Sequence, residues 1–388
     1  MDCTVGWKTA MIGLVCCPEG SKMKIEGGNV FGPDGTFQVR DLFIEDGRYA
    51  AGCRDGQVVD ASGLYVIPGL VDLHFHGCAG VDFSDGSLEA LETICRYQAA
   101  HGITDICPAT MSLTEEQLRQ IFQCAASYQG KEGAVLRGIR MEGPFLGGEK
   151  KGVQNPEALC LPDTSMVVRL QKAAAGLLKI LDIDPMLEGA LDLIQNMRGS
   201  LRFSLAHTAA DYVQAMAAFE AGASQVTHLY NAMQGMHHRA PGLVGAALDE
   251  GGCFVELICD GQHVHPAMIR NTFQMFGVDR IILISDSMRG TGMPGGMYDL
   301  GGQLAEVKQG KAVMAGSDIL AGSVKNLMDC LRYAVKEAGV PLASALRAAT
   351  VNPARSLGVQ EEYGTIELGK TSHVVLLDPE LELVDVWM

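Results

Sequence analysis

Two rhythms of apolar and polar positions run along the chain. Between residues 67 and 358, short apolar runs alternate with longer stretches whose apolar positions recur every three or four residues. The runs around 67–73, 103–107, 136–141, 179–183, 202–206, 224–227, 253–259 and 280–284 read as buried strands. Residues 88–101 place Leu88, Leu91, Ile94 and Cys95 on one helical face. Thr114-Glu115-Glu116 gives the next helix an acidic first turn, and 211–221 and 324–338 are further helices. Such alternation predicts a parallel sheet with right-handed crossovers. About eight units fit, the number in a (β/α)8 TIM-like barrel.

The flanking rhythm is different. Residues 23–66 are short extended segments broken by turns at Gly32-Pro33-Asp34-Gly35 and Glu45-Asp46-Gly47. After Pro353 the pattern turns to strands again, over 364–369 and 372–378. The expected organisation is a barrel over 67–358 and a small β-sandwich domain built from 23–66 and 359–388. Residues 1–22 are expected to be an N-terminal extension. Their apolar stretch, 9–17, lacks the basic leader and small-residue cleavage site of a secretory signal.

Composition narrows the function classes. Hydrophobic residues make up 47%, enough for a large core. The net charge of −16 argues against a nucleic-acid partner, which needs a basic footprint. It still leaves room for a basic pocket that takes a small anion. Twelve cysteines occur with no CxxC, and Cys16 and Cys17 are adjacent. Reduced, buried thiols in the cytoplasm are expected, not zinc–thiolate sites. No apolar run reaches the length of a membrane span.

The candidate chemistry sits just beyond the strand-like runs. His74 and His76 follow the first, Glu142 the third, and His207, His228 and Asp286 close later ones. In a parallel barrel all such positions collect at the C-terminal rim. Imidazole and carboxylate suit zinc or iron. His207 and His228 are one βα unit apart, so they belong on neighbouring strands. With Glu142 and one open coordination position they form a hydrolytic metal site. Asp286 would take a proton from water and pass it to a leaving nitrogen. His74 and His76 alternate along a strand and so share a face. They suit either a second ion or a hydrogen-bonding group at the rim. A single strand-end histidine is ordinarily a hydrogen-bonded core residue, so the set carries the argument. Residues 290–296 read as a mobile loop over the site or a plain connector, and Met288, Met293 and Met297 as packing residues.

Several strings together resemble one family. They are Ile-Pro-Gly-Leu-Val-Asp-Leu-His-Phe-His-Gly over 67–77, Glu-Gly-Pro-Phe-Leu over 142–146 and Lys-Lys-Gly-Val-Gln-Asn-Pro over 150–156. Thr-His-Leu-Tyr-Asn-Ala-Met over 227–233, Ala-Pro-Gly-Leu-Val-Gly over 240–245, Asp-Gly-Gln-His-Val over 260–264 and Ser-Asp-Ser over 285–287 join them. The chain is similar, from about Met23 to its end, to the N-acetylglucosamine-6-phosphate deacetylases of the amidohydrolase superfamily. The resemblance implies hydrolysis of N-acetyl-D-glucosamine 6-phosphate to D-glucosamine 6-phosphate and acetate, in amino-sugar catabolism.

By position, the resemblance makes Glu142, His207 and His228 ligands of a divalent metal, Zn2+ or else Fe2+. One ion is expected, and a second on His74 and His76 stays open. Asp286 becomes the general base and acid. Asn231 and Ala232 would meet the phosphate, Arg239 would bind it, reaching in from a second subunit in some relatives, and His263 would bind substrate. A homodimer is implied. Gln154 stands where some members carry a histidine that polarises the acetamide carbonyl. It can donate an N–H but carries no charge, which shifts the polarising load to the metal centre. Ser285 and Ser287 flank Asp286 where Thr and Ala are common. Two alternatives stand beside this reading: a deacetylase of another N-acyl sugar phosphate, such as N-acetylgalactosamine 6-phosphate, and a non-catalytic binding homologue.

Overall fold

The computed structural model describes residues 14–15, 21–53, 55–130 and 132–388. The extension assigned to 1–22 therefore falls largely outside the described residues. Within it, Leu14–Val15 pairs in parallel with Val386 and Trp387.

Eight strand positions form a parallel barrel. They are Leu70–Asp72, Ile103–Ile106 continued by Ala109–Thr110, Val135–Leu136 continued by Ile139–Glu142, and Leu178–Ile183. Arg202–Leu205, Gln225–Val226, Phe254–Ile258 and Ile281–Ile284 complete the set. Every pairing between successive positions is parallel. The ring closes from last strand to first: the Asp286 N–H donates to the His74 carbonyl at 2.9 Å, and Ser285 Oγ donates to Asp72 Oδ2 at 2.5 Å.

Helices cover the outside because their apolar stripes have only the sheet to pack on. Glu115–Ser127 buries Leu118, Ile121, Phe122 and Ala125 and starts with a capping box between Thr114 and Gln117. Tyr212–Ala221 starts with the same device, from Asp211 and Gln214. One core cluster joins Val71, Leu73, Cys107, Ile180, Ile258, Ile282 and Ile284 of the barrel strands and their ends. Arg140, Asp182, Glu256, Gln225, Ser204 and Thr227 are also fully buried, and they form a polar cluster among the same strands.

The chain ends meet in one mixed, eight-stranded sheet. Its order is Leu14–Val15, Leu383–Trp387, Val374–Leu377, Tyr65–Pro68, Lys22–Phe31, Phe37–Glu45, Arg48–Ala50, with Gln57–Asp60 pairing off Lys22–Phe31. Met23, Ile25, Val30, Leu42, Ile44, Val66, Val374, Leu376 and Trp387 give it a core of its own.

One element departs from the barrel repeat. Directly after residues 290–295, strands Gly296–Leu300, Gln303–Lys308 and Lys311–Met314 form an antiparallel sheet before the helix Leu327–Lys336. Met111, Met288, Leu300, Ala305, Val307, Ala312 and Ala321 pack it onto the barrel rim. The stretch read as a loop thus leads into an ordered sheet, and Met288 packs in that core.

Among the described residues, nine cysteines are free thiols, and no helix is long and apolar enough to cross a membrane.

Candidate metal centre

Three strand ends bring Glu142, His207 and His228 together. His207 Nε2 and His228 Nε2 lie 3.2 Å apart, and they are 3.1 and 3.3 Å from Glu142 Oε1. Ligands of a tetrahedral zinc-type ion, at about 2.0–2.1 Å from it, lie about 3.3–3.4 Å from one another. The three edges match that figure. Two ring nitrogens in contact share at most one proton, so a cation between them is the natural occupant.

His74, His76 and Asp286 form a second group. Asp286 Oδ1 lies 3.7 Å from His74 Nε2 and 3.5 Å from His76 Nε2. Glu142 joins the two groups, with Oε2 at 3.1 Å from His76 Nε2 and Oε1 at 3.5 Å from His74 Nε2. Among the described residues, His74 Nε2 is buried with no hydrogen-bond partner. Such an orphan fits a metal ligand.

The outer ring nitrogens are anchored. His74 Nδ1 meets Glu256 Oε2 at 3.0 Å, His76 Nδ1 the Ala109 carbonyl at 3.3 Å, and His207 Nδ1 the Lys150 carbonyl at 2.9 Å. A proton held at Nδ1 by an acceptor leaves the Nε2 lone pair facing inward. His228 is the exception, since its Nδ1 is buried without a partner among the described residues. Charge balance points the same way. Burial would push Glu142 up, but the surrounding histidines outweigh it and hold its carboxyl well below the usual range. Burial would lower His76, but the Asp286 and Glu142 carboxylates override it and push the imidazole well up. The cluster therefore calls for positive charge between its carboxylates, which protons or divalent ions supply.

The backbone aims these groups. His207, His228 and Asp286 have φ of 46°, 29° and 49°, left-handed values that cost energy outside glycine.

A cavity of about 600 Å³ opens over the cluster. Gln154, Asn231, Ala232 and His263 line it with the metal-centre side chains. Gln154 Nε2 donates to Glu142 Oε2 at 3.0 Å, and its Oε1 accepts from the Ser112 N–H at 2.7 Å. One of its two amide hydrogens is thus committed to a metal-centre carboxylate. Asn231 Nδ2 donates to the His228 and Leu229 carbonyls, and its backbone N–H to His228 as well. Its donors are engaged, whereas the Ala232 N–H has no partner among the described residues. His263 Nδ1 meets Asp260 Oδ2 at 2.8 Å. Arg239 does not line this cavity. It is exposed in a turn beside His237 and His238 and borders a separate pocket with Asp211 and Tyr212.

The sequence reading passed over several residues. Lys150 and Lys151 line the cavity, as do Asp318, Ile319 and Leu320 from the segment after the inserted sheet. Arg140, Asp182 and Glu256 were overlooked too. Their signal is a charge set between buried apolar neighbours in a strand, Glu256 alone in Phe254–Ile258, Arg140 between Ile139 and Met141, and Asp182 between Leu181 and Ile183, and such charges are paired or functional.

Residues 65–386 match the model of the amidohydrolase family. The N-acetylglucosamine-6-phosphate deacetylase of Vibrio furnissii is 36% identical over 341 residues, 87% of this chain and 85% of that protein. The N-acetylgalactosamine-6-phosphate deacetylase of Escherichia coli O157:H7 is 35% identical over 361 residues, 92% of this chain and 95% of that one. Among solved structures, a mutant N-acetyl-D-glucosamine-6-phosphate deacetylase from Mycobacterium smegmatis, in complex with N-acetyl-D-glucosamine-6-phosphate, superposes with a TM-score of 0.87. Its identity is 32%, and the match covers 95% of this chain and 98% of that one.

Proposed function

Since the chain belongs to the amidohydrolase family, and within it to the N-acetylglucosamine-6-phosphate deacetylases, we propose that it hydrolyses the acetamide of N-acetyl-D-glucosamine 6-phosphate. The products are D-glucosamine 6-phosphate and acetate. The observation that carries this reading is the near-tetrahedral triangle of Glu142, His207 and His228 beside the His74–His76–Asp286 group.

In this reading Glu142, His207 and His228 would hold one divalent ion, zinc before iron because their 3.1–3.3 Å separations match a tetrahedral donor set. His74, His76 and Asp286 would hold a second, next to Glu142. When bound, such ions polarise the acetamide carbonyl and make water a better nucleophile. Asp286 takes the proton that the attacking water loses. As the water oxygen bonds to the acetyl carbon and the C–N bond breaks, Asp286 returns that proton to the leaving amine. Gln154 holds Glu142 in place rather than acting alone on the carbonyl. His263, braced by Asp260, offers Nε2 to the substrate.

The phosphate is met by the free Ala232 N–H, by Lys150 and Lys151, and by Arg239 from the second chain of a homodimer. The Arg239 assignment is supported by its exposed place outside its own chain's cavity. The free thiols fit a reducing cytoplasm. A second reading, preference for the galactosamine epimer, draws on the relative from Escherichia coli O157:H7.

Acetate release from metal-loaded protein tests these readings. The assay compares N-acetylglucosamine 6-phosphate, its galactosamine epimer and unphosphorylated N-acetylglucosamine. The first should give the highest kcat/KM, and Asp286→Asn should abolish turnover while the Glu142 ion stays bound. Faster turnover of the epimer would favour the second reading. No acetate from any of the three would refute deacetylation.

A further inference from the structure

Glu256 lies one strand away from the metal centre and is fully buried. Its Oε1 accepts from Arg140 Nη1 and Gln225 Nε2. Its Oε2 accepts from the His228 N–H at 3.2 Å and faces His74 Nδ1 at 3.0 Å. The Gln225 amide is oriented by Ser356 Oγ, which donates to its Oε1. A carboxylate ringed by donors and paired with a guanidinium stays ionised and has no hydrogen to give. His74 must therefore donate from Nδ1. Its other nitrogen, the partnerless Nε2, then faces the oxygens of Glu142 and Asp286.

Behind Glu256, Arg140 is pinned by Asp182, whose two oxygens accept from Nε and Nη2 at 2.7 Å each. Counting Arg140 as +1 and Asp182 and Glu256 as −1 each, the cluster carries one net negative charge behind His74.

We infer that Glu256, locked by Arg140, is a positioning residue that fixes His74 in the tautomer needed to ligate a second ion. The inference rests on the two-ion reading above. Amide replacement is the sharp test. In Glu256→Gln the new NH2 must face either Arg140 and Gln225, both donors, or the His74 and His228 side. Facing His74, it turns Nδ1 into an acceptor and puts the proton on Nε2, where an ion should bind. The first arrangement sets donor against donor at Arg140 and Gln225, so the second, which removes the lock on His74, is the one expected.

Metal-loaded wild type and variant are dialysed against graded free zinc and their ions counted by elemental analysis. Wild type should hold two ions per chain. Glu256→Gln should keep the first ion and bind the second about 10–100-fold more weakly, the usual effect of losing an outer-shell partner. Gln225→Leu, which disturbs the same cluster but leaves the Arg140–Glu256–His74 chain, should keep both. Equal losses in the two variants would reduce Glu256 to a structural role and overturn the inference. Two ions held unchanged by Glu256→Gln would overturn it while leaving the two-ion reading intact. A single ion in wild type would sink both. Should Glu256→Gln not fold, Glu256→Asp takes its place, because the shorter arm withdraws the carboxylate from His74 Nδ1: selective weakening of the second ion upholds the inference, and two ions held unchanged overturn it.

Discussion

Replacing Arg140 by methionine probes the buried polar cluster. The guanidinium bonds both oxygens of Asp182, Glu256 Oε1 and, at 2.9 Å, Thr227 Oγ1. Methionine keeps a flexible apolar stem and no donor. Two buried carboxylates are then left without their cation. Removing one partner of a buried ion pair costs about 3–5 kcal/mol. At roughly 2.1 cal/mol/K of unfolding entropy per residue, 388 residues give about 0.8 kcal/mol/K, so Tm should fall by about 4–6 °C. Calorimetry with excess chelator in both samples keeps ion loss out of the comparison.

The same variant has a pH signature. In the wild type, burial pushes Glu256 up, but Arg140 and His74 override it and hold it at about 2. That lies below the unfolded value of about 4.3, so its contribution is complete above that pH and is lost as pH falls through about 2. Without the guanidinium, burial dominates and the folded carboxyl rises above its unfolded value. The variant therefore regains more stability than the wild type does on acidification from pH 7 toward 5, so the gap between them narrows. A Tm within a degree of wild type at pH 7, or a gap that stays constant with pH, would refute the reasoning.

Two further outcomes follow from the site. Arg239→Ala and Asp286→Asn chains should each be inactive toward the phosphorylated sugar at low concentration. Mixed as dissociated subunits and reassembled, they should recover about a quarter of wild-type activity, because half the dimers are hybrids with one complete site of two; no recovery would show that Arg239 does not serve a partner. Burial lowers His263, but Asp260 outweighs it and raises the imidazole above its ordinary value, so it keeps its proton past the usual pH. Asp260→Asn should shift the alkaline rise of KM to lower pH, and an unmoved inflection would detach His263 from substrate binding.

Much of the barrel was legible because its strands are buried on both faces and so read as unbroken apolar runs. Glu142, His207, His228 and Asp286 stood out because each polar residue directly follows such a run. The inserted sheet of residues 296–314 was missed, although Gly301-Gly302 and Gln309-Gly310 are two-residue hairpin turns between alternating segments. Arg140 and Glu256 escaped notice for another reason. Their partnership spans 116 positions, and no local period records which inward charges will meet. Engagement of the Asn231 donors by nearby carbonyls is likewise a matter of turn geometry, invisible in residue type.

The left-handed bend at His207, His228 and Asp286 bears on any attempt to transplant this centre. A designer who copies its six ligand-type side chains onto another parallel barrel, but lets those strands run straight into their loops, reproduces the inventory without the aim. The unit to be grafted is each side chain together with its kinked peptide, and the host scaffold must be stable enough to tolerate three such kinks on a single rim.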